Sequence, residues 1–496
     1  MPHSPLPQLP DHRAAQDPQG RCLADDDGEL DNEQFAAAVR RTAAALQADG
    51  VSAGDVVAVL LPNSSALVVT LFAAWQLGAT VTPVNPALVP AEVAYQVSDA
   101  GAEVVVVGTA SDFEVPAGTV LTVLTAQELA TYPVMADAPA ERSADAPALL
   151  IYTSGTTGRP KGVMLDHANL TANCAMMIEA LRMTSADHSL LILPLFHANG
   201  ILAGTLSPLL AGGRVTIAGR FSPTTFFDRL ERSRASYFSA VPTVFTMLAD
   251  LPPELQPDTS SVRFAACGAA PASVELLEKF TNRYGIPIIE GYGLSEGSCA
   301  STLNPLDGVR KAGTVGLPLP GQTIRIADAD GEPVPAGQAG EVLISGPNVM
   351  RGYLNRPDET AKTLAGGWLH TGDIGRLDED GYLVLVDRAK DMIIRGGENI
   401  YPKEIEAVVY QLPEVAEAAV VGRPSQTYGE EPVLFVALNS AAELGADQIR
   451  QHLRRSVSKY KVPVDITVLD ALPKNPVGKI DKPSLRKSLA APARSA

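Results

Sequence analysis

The sequence predicts an α/β protein: a large N-terminal domain of parallel α/β sheets carrying a β-rich submodule, followed by a small α+β domain. Three observations predict it. From about Asp55, short β-rich apolar runs alternate with amphipathic helical stretches; after Gly321 short strands and turn signals take over; beyond Asp387 the order becomes strand, helix, strand, strand, helix, strand. Strands that alternate with helices imply parallel sheets covered on both faces. A chain of 496 residues also exceeds the size at which one hydrophobic core stops growing, so two or more domains are expected.

In chain order, residues 1–19 carry Pro and Asp in place of a basic region followed by an apolar one. No secretory signal is expected there, and the first dozen residues are expected to be poorly ordered. Strand-like runs follow at 56–61, 104–107, 149–152, 190–193, 215–217 and 264–267, with helical stretches at 66–77, 224–232 and 272–284. The apolar stretch 66–79 is too short to cross a bilayer and is interrupted by Gln76 and Gly78, which makes it a core helix. The β-rich submodule is expected over about 321–386, with turns at Asp328-Ala-Asp-Gly331 and Asp378-Glu-Asp-Gly381, the second linking two strand-like runs. The N-terminal domain is therefore expected over 1–386, a connector over 387–391 and the C-terminal domain over 392–496. In the last, helices are expected at 403–411 and 446–458, strands at 416–421 and 433–437, and a poorly ordered Ala/Pro/Ser tail from Ala490.

Composition narrows the function. The net charge of −17 disfavours polyanion binding through a general field, so nucleic acid is not an expected partner. Cys22, Cys174, Cys267 and Cys299 are widely spaced with no C-x-x-C pair, which argues against a disulfide framework and a zinc site. No apolar run is long enough to span a bilayer. The expected location is the cytoplasm, and the expected assembly a monomer or homodimer.

The strongest chemical signal is Tyr152-Thr-Ser-Gly-Thr-Thr-Gly-Arg-Pro-Lys-Gly162, directly after an apolar strand. Hydroxyls, glycines and one lysine are concentrated where backbone amides can approach phosphate closely. It is not a Walker A loop, because Pro160 precedes Lys161 and Gly162 follows it where that motif needs Gly-Lys and then Ser or Thr.

This loop resembles the signature of the adenylate-forming superfamily, which includes acyl-CoA synthetases, aryl-CoA ligases, peptide-synthetase adenylation domains and luciferases. The resemblance holds over nearly the whole chain. Glu290-Gly-Tyr-Gly-Leu-Ser-Glu296 is similar to the family's tyrosine and acidic motif, with Ser295 where threonine is more usual. Leu369-His-Thr-Gly-Asp373 is similar to its ribose motif, Val386-Asp-Arg-Ala-Lys-Asp391 to its interdomain hinge, Ile394-Arg-Gly-Gly-Glu-Asn-Ile-Tyr-Pro-Lys-Glu-Ile-Glu406 to the segment after it, and Pro473-Lys-Asn-Pro-Val-Gly-Lys479 to its terminal lysine loop.

The resemblance implies a role for each matching residue. Thr153, Ser154, Gly155, Thr156, Thr157, Gly158 and Lys161 would hold the β- and γ-phosphates of ATP, and Glu296 would bind Mg2+ bridging phosphate oxygens. Tyr292 would stack on adenine, with room left by Gly268, Ala269 and Ala270; Glu290, Gly291, Gly293 and Ser295 complete the nucleotide site. Asp373 would accept from the ribose hydroxyls, with Arg388 as a second contact. Lys479 would be catalytic, bridging the attacking carboxylate and the α-phosphate as charge redistributes.

Pro194-Leu-Phe-His-Ala-Asn-Gly-Ile201 resembles the segment lining the acyl site. It would place His197, Ala198 and Asn199 there, with His197 near the adenylate. Ser239, Ala240 and Val241 would form another wall, and Gly291, Gly316 and Leu317 the floor. The small residues Gly291, Ala240 and Ala198 suggest space for an apolar or aryl group. Malonyl-CoA synthetases carry arginine at the position of Gly291, so its absence points away from dicarboxylates. In the thiol-transfer step the family rotates its C-terminal domain about a hinge, here Lys390; Gly396 and Gly397 would line a pantetheine tunnel, and Arg220 would meet the nucleotide end of CoA.

The expected activity is therefore an ATP-dependent acid–thiol ligase that forms an acyl-adenylate and passes the acyl group to CoA, with a medium-chain fatty or aromatic monocarboxylic acid as substrate. One alternative acceptor is carrier-protein phosphopantetheine or another biosynthetic nucleophile. A non-catalytic nucleotide-binding regulator is the second alternative, disfavoured because Lys161, Glu296, Asp373 and Lys479 are all present.

Overall fold

The computed structural model describes residues 5–115, 121–138, 143–154, 160–269, 272, 274–328, 330–388, 393–400, 402–439, 442, 444–473, 480 and 482–490. The chain forms two compact units. The larger comprises Met1–Pro86, Ala94–Tyr152 and Gly162–Asp387; the smaller comprises Ala87–Val93, Thr153–Lys161 and Arg388–Ala496.

Two large sheets and the smaller sheet of the β-rich submodule build the larger unit. In the nine-stranded sheet, six central strands run parallel in the order Ile288–Tyr292, Phe264–Cys267, Tyr237–Ala240, His188–Leu191, Arg214–Ile217, Arg21–Ala24. Antiparallel additions close its edges: Glu29–Asp31 at one, Thr302–Leu303 and Leu317–Pro318 at the other. The seven-stranded sheet has Thr80–Pro83, Val56–Leu60, Val104–Val107 and Thr122–Thr125 in parallel, with Pro147–Ser154, Pro160–Asp166 and Gly352–Tyr353 beyond Thr80–Pro83. All of Val104–Val107 is buried, as a strand covered on both faces requires. One core cluster joins the two sheets, with Leu23 and Val215 from the first and Val57, Val81 and Val163 from the second.

The apolar stretch near residue 70 is the helix Ser65–Leu77, opened by Ser64 accepting from the Leu67 amide and closed by left-handed Gly78. Trp75 is fully buried there, and its indole N–H donates to the Ala148 carbonyl at 2.8 Å. This is a core helix, as expected. The expectation of poor order over the first dozen residues is overturned for the described ones: Leu9–Gln16 is a helix with Leu6 and Leu9 buried. Its Arg13 donates to Asn32 Oδ1, the Leu209 carbonyl and the Gly213 carbonyl at 2.7–2.8 Å. A buried guanidinium with that many acceptors anchors the segment, and no apolar periodicity in a Pro-rich stretch announces it.

The β-rich submodule is a four-stranded sheet, Thr323–Ala327, Gly340–Ser345, Leu369–Leu377, Leu383–Arg388, antiparallel where its first three strands pair. Its core of Ile324, Ile326, Val342, Ile344, Leu369 and Leu383 also takes in Tyr292. The end of a parallel strand is thereby fixed against the strand that carries Asp373.

In the smaller unit, Gly429–Leu438 lies between antiparallel Val415–Ser425 and parallel Asp465–Leu469. Side chains alternate across this sheet. Val420, Leu434 and Val436 pack with Ile405, Val409, Ile449 and Leu453 from the helices Pro402–Val409 and Ala446–Ser456. Val421, Val433 and Phe435 pack with Leu485 of the helix Lys482–Ala490 on the other face. The fold is thus the expected mixed α/β class, with a large N-terminal and a smaller C-terminal part.

Candidate active site

The carboxyl ends of parallel strands gather the first group of candidate residues, the usual place for a ligand in an open α/β sheet. The register aligns Ala240 with Cys267 and Cys267 with Glu290. Ser239, Ala240, Gly268, Glu290 and Gly291 therefore lie side by side on three neighbouring strands or just beyond them. Ala269 holds a left-handed conformation at φ 67°, which costs a non-glycine residue roughly 1–2 kcal/mol. Burial pushes the Glu290 carboxyl up to about 7.

Glycines here are set by close approach. At Gly293 a Cβ would lie 1.8 Å from the Cys299 carbonyl oxygen, and at Gly316, with φ 89°, 1.9 Å from the Leu303 carbonyl carbon. At Gly291 a Cβ would stand 2.4 Å from Leu303 Cδ2 and 2.8 Å from the Thr302 carbonyl oxygen. This corrects the expectation that Gly291 opens room for an acyl group. The antiparallel strand Thr302–Leu303 puts a leucine side chain into the space that the missing side chain leaves.

His197 precedes the one-turn helix Ala198–Ile201, which continues into a π-helical turn at Leu202–Leu206. Such turns are frequent at functional sites. The His197 ring lies 4.6 Å from that of Phe196. Ala198 is buried, and Asn199 Oδ1 is buried with no hydrogen-bond partner among the described residues. Asn63 pins this segment: its Oδ1 accepts from the Leu195 amide at 2.8 Å and its Nδ2 donates to the Leu193 carbonyl at 2.9 Å. Sequence reasoning missed Asn63, whose only local signal is the Pro62-Asn63-Ser64 turn after the strand Val56–Leu60.

Asp373 and Tyr292 are brought together, the phenol donating to Asp373 Oδ2 at 2.6 Å with both residues buried. The Asp373 turn is itself braced. Gly372 is left-handed at φ 70° and donates its amide to Glu341 Oε1, while Thr371 Oγ1 donates to the Val342 carbonyl and accepts from the Asp373 amide. Glu296 lies in the single turn Ser295–Gly297 and accepts from the Tyr353 phenol at 2.8 Å. Among the described residues no group of three or more His, Cys, Asp or Glu could hold a metal by itself. A lone hard carboxylate fits Mg2+, which is commonly bound by one or two carboxylates together with substrate phosphates.

In the phosphate loop, Thr153 ends within the strand Pro147–Ser154, and Lys161 sits near the start of Pro160–Asp166 with its side chain largely buried. Gly155, Thr156, Thr157 and Gly158 lie outside the described residues, as do Ala270, Lys390 and Lys479; so do the side chains of Ser154 and Arg388. Arg220 is exposed just beyond the strand Arg214–Ile217. Gly396 and Gly397 form the turn between Ile393–Arg395 and Glu398–Ile400, with φ 60° and 88°. Positive φ at both central residues is the requirement of a type I′ hairpin, so the turn by itself favours glycine there.

A family model described as AMP-binding enzyme matches residues 10–354, and one described as AMP-binding enzyme C-terminal domain matches residues 404–479. The chain is 37% identical over 490 residues to a feruloyl-CoA synthase of Amycolatopsis sp, covering 97% of this chain and 98% of that one. It is 36% identical over 459 residues to a sulfoacetate–CoA ligase of Cupriavidus necator, covering 88% of each. Its structure is similar to that of a double mutant of the o-succinylbenzoate CoA synthetase from Bacillus subtilis bound with a product analogue, at a TM-score of 0.90 and 31% identity over 97% of this chain and 98% of that one. The chain belongs to the AMP-binding enzyme family, as an ATP-dependent, AMP-forming acid–thiol ligase.

Proposed function

We propose that the acid activated here is a medium-chain fatty or aromatic monocarboxylic acid. The observation that carries this reading is Leu303, whose side chain fills the place where a residue larger than glycine at 291 would stand. A second carboxylate directed there would meet leucine and not a cation. No Lys or Arg occurs among His197, Ala198, Asn199, Ser239, Ala240, Val241, Gly291, Gly316 and Leu317. The aromatic acid in the name of the feruloyl-CoA synthase supports the reading, whereas the small acid with two anionic groups in the name of the sulfoacetate–CoA ligase is of the class the reading disfavours.

In the proposed first step a substrate carboxylate oxygen attacks the α-phosphorus of ATP, the bond to the β-phosphate oxygen breaks, and pyrophosphate leaves. Thr153 to Lys161 would grip the β- and γ-phosphates, Tyr292 would cover adenine, and Asp373 with Arg388 would hold ribose. Glu296 would hold Mg2+, which supplies charge neutralisation at the phosphate oxygens. Lys479 would stabilise charge between carboxylate and α-phosphate, and His197 would flank the adenylate. In the second step a pantetheine thiol attacks the acyl carbon, its sulfur bonds to that carbon, and AMP departs with the electron pair of the broken C–O bond. Residues 387–391 with Lys390 are the proposed hinge, Gly396 and Gly397 the proposed tunnel lining, and Arg220 the proposed contact to the CoA nucleotide.

A carrier-protein pantetheine is the second acceptor to test, and a monomer or homodimer the proposed assembly. The cytoplasm is the proposed compartment, in keeping with four free cysteines. Pyrophosphate exchange across short, medium, long and aromatic acids tests the substrate class, and free CoA against carrier proteins tests the acceptor. Hexanoate- or benzoate-like acids are expected to exceed malonate and succinate in kcat/KM. A higher kcat/KM for malonate than for every such acid overturns the reading.

A further inference from the structure

Residues 350–354 join two parts of the larger unit that are far apart in the chain. On one side they pair with the strand that follows the phosphate-loop motif: Gly352 and Tyr353 oppose Met164 and Val163, and the Leu354 amide donates to the Gly162 carbonyl at 2.8 Å. Gly162 allows that approach, since a Cβ there would stand 3.3 Å from the Tyr152 ring and 3.4 Å from Leu354 Cβ. On the other side the Met350 amide donates to the Glu296 carbonyl at 2.8 Å, and the Tyr353 phenol donates to Glu296 Oε1 at 2.8 Å. Just upstream, buried Asn348 donates through Nδ2 to the Gly297 carbonyl at 2.9 Å and accepts at its own carbonyl from Ser298 Oγ at 2.6 Å. Backbone and side chain of the Glu296 turn are therefore both tied to one strap, and the strap is tied to the strand at Gly162.

Tyr353 is itself fixed. It is 8% exposed, its amide donates to Thr360 Oγ1 at 2.9 Å, and its ring belongs to the main core of the unit. A carboxylate on two rotatable bonds beyond Cβ otherwise samples many orientations, whereas a donor from a core-anchored phenol selects one. We propose that Tyr353 is a positioning residue for the metal-binding carboxylate, orienting Glu296 toward Mg2+ from a strap registered on the phosphate-loop strand. The inference rests on the reading of Glu296 as the metal ligand.

The test is Tyr353→Phe, which keeps the ring in the core and removes only the donor, beside Glu296→Gln. Mn2+ affinity is measured by electron paramagnetic resonance on full-length enzyme with a non-hydrolysable ATP analogue, and half-saturating Mg2+ by pyrophosphate exchange. Removing a hydrogen-bond partner of a metal ligand commonly weakens metal binding about 10-fold or more. Tyr353→Phe is expected to weaken Mn2+ binding by about that factor, to raise half-saturating Mg2+ in parallel, and to leave the Tm close to wild type. Unchanged Mn2+ affinity in Tyr353→Phe, with Glu296→Gln weakened, overturns the positioning role alone. Unchanged affinity in Glu296→Gln overturns the metal assignment and this inference with it.

Discussion

Tyr292 brings two surfaces to the site, its ring and its hydroxyl, and the hydroxyl reaches Asp373 at 2.6 Å. The carboxylate proposed to hold ribose already accepts one buried hydrogen bond, which fixes it in place without the nucleotide. Asp373→Ala is expected to cost ATP use about 1–3 kcal/mol by leaving ribose hydroxyls unpaired, and Tyr292→Phe about 1 kcal/mol, since ring and volume are kept. Both penalties are expected to vanish with 2′,3′-dideoxy-ATP, which has no ribose hydroxyls to lose. KM for ATP and for the dideoxy compound, measured by pyrophosphate exchange in folded variants, decides it; equal penalties on both nucleotides would remove Asp373 from the ribose.

At the scale of elements, two buried histidines make the larger unit sensitive to acid. His167 begins the helix His167–Ala180 after the Asp166 cap and meets Trp75 edge-on; His188 begins the strand His188–Leu191 and pairs with Thr216 Oγ1 at 2.8 Å. Burial lowers both to about 4 from the ordinary 6.5. At these two positions the unfolded chain therefore takes up protons between pH 6.5 and about 4 that the folded chain refuses, so their contribution to stability falls as pH drops through that window, offset in part by Glu290, whose raised carboxyl takes up its proton in the folded chain first. Near-UV circular dichroism from pH 7 to pH 4 is expected to show unfolding there. In His188→Asn, which keeps a polar partner for Thr216 and cannot charge, the acid midpoint is expected to move to lower pH. An unmoved midpoint would place the acid sensitivity elsewhere.

For the whole molecule, the proposed division of labour puts Lys479 in adenylation only. Lys479→Ala is expected to lose pyrophosphate exchange by about 100-fold or more, the usual scale for one preorganised charge-stabilising group. It is expected to keep most of its transfer of a chemically supplied acyl-adenylate to CoA in single-turnover assays. Equal loss of both half-reactions would reject a C-terminal part with two alternating roles. Bulky residues at Gly396 or Gly397 test that division poorly, because both positions need left-handed backbone for the hairpin itself.

Local order in the chain determined the α/β class, the core helix around Trp75 and the motifs that contain Lys161, Glu296 and Asp373, because strand period, helix period and motif spacing are properties of neighbours. Side chains that meet across long separations were decided by the tertiary structure alone. Tyr353 reaches Glu296 across 57 positions, Tyr292 reaches Asp373 across 81, and Asn63 holds Leu195 across 132; a hydrogen bond has no periodicity to betray it. Gly291 shows the same limit. Its lack of a side chain is plain in the sequence, but that Leu303 takes up the space follows only from the antiparallel strand laid beside it. The ordered N-terminal helix is likewise tertiary, since Arg13 finds its acceptors at Leu209 and Gly213, and such partners lie outside any local window.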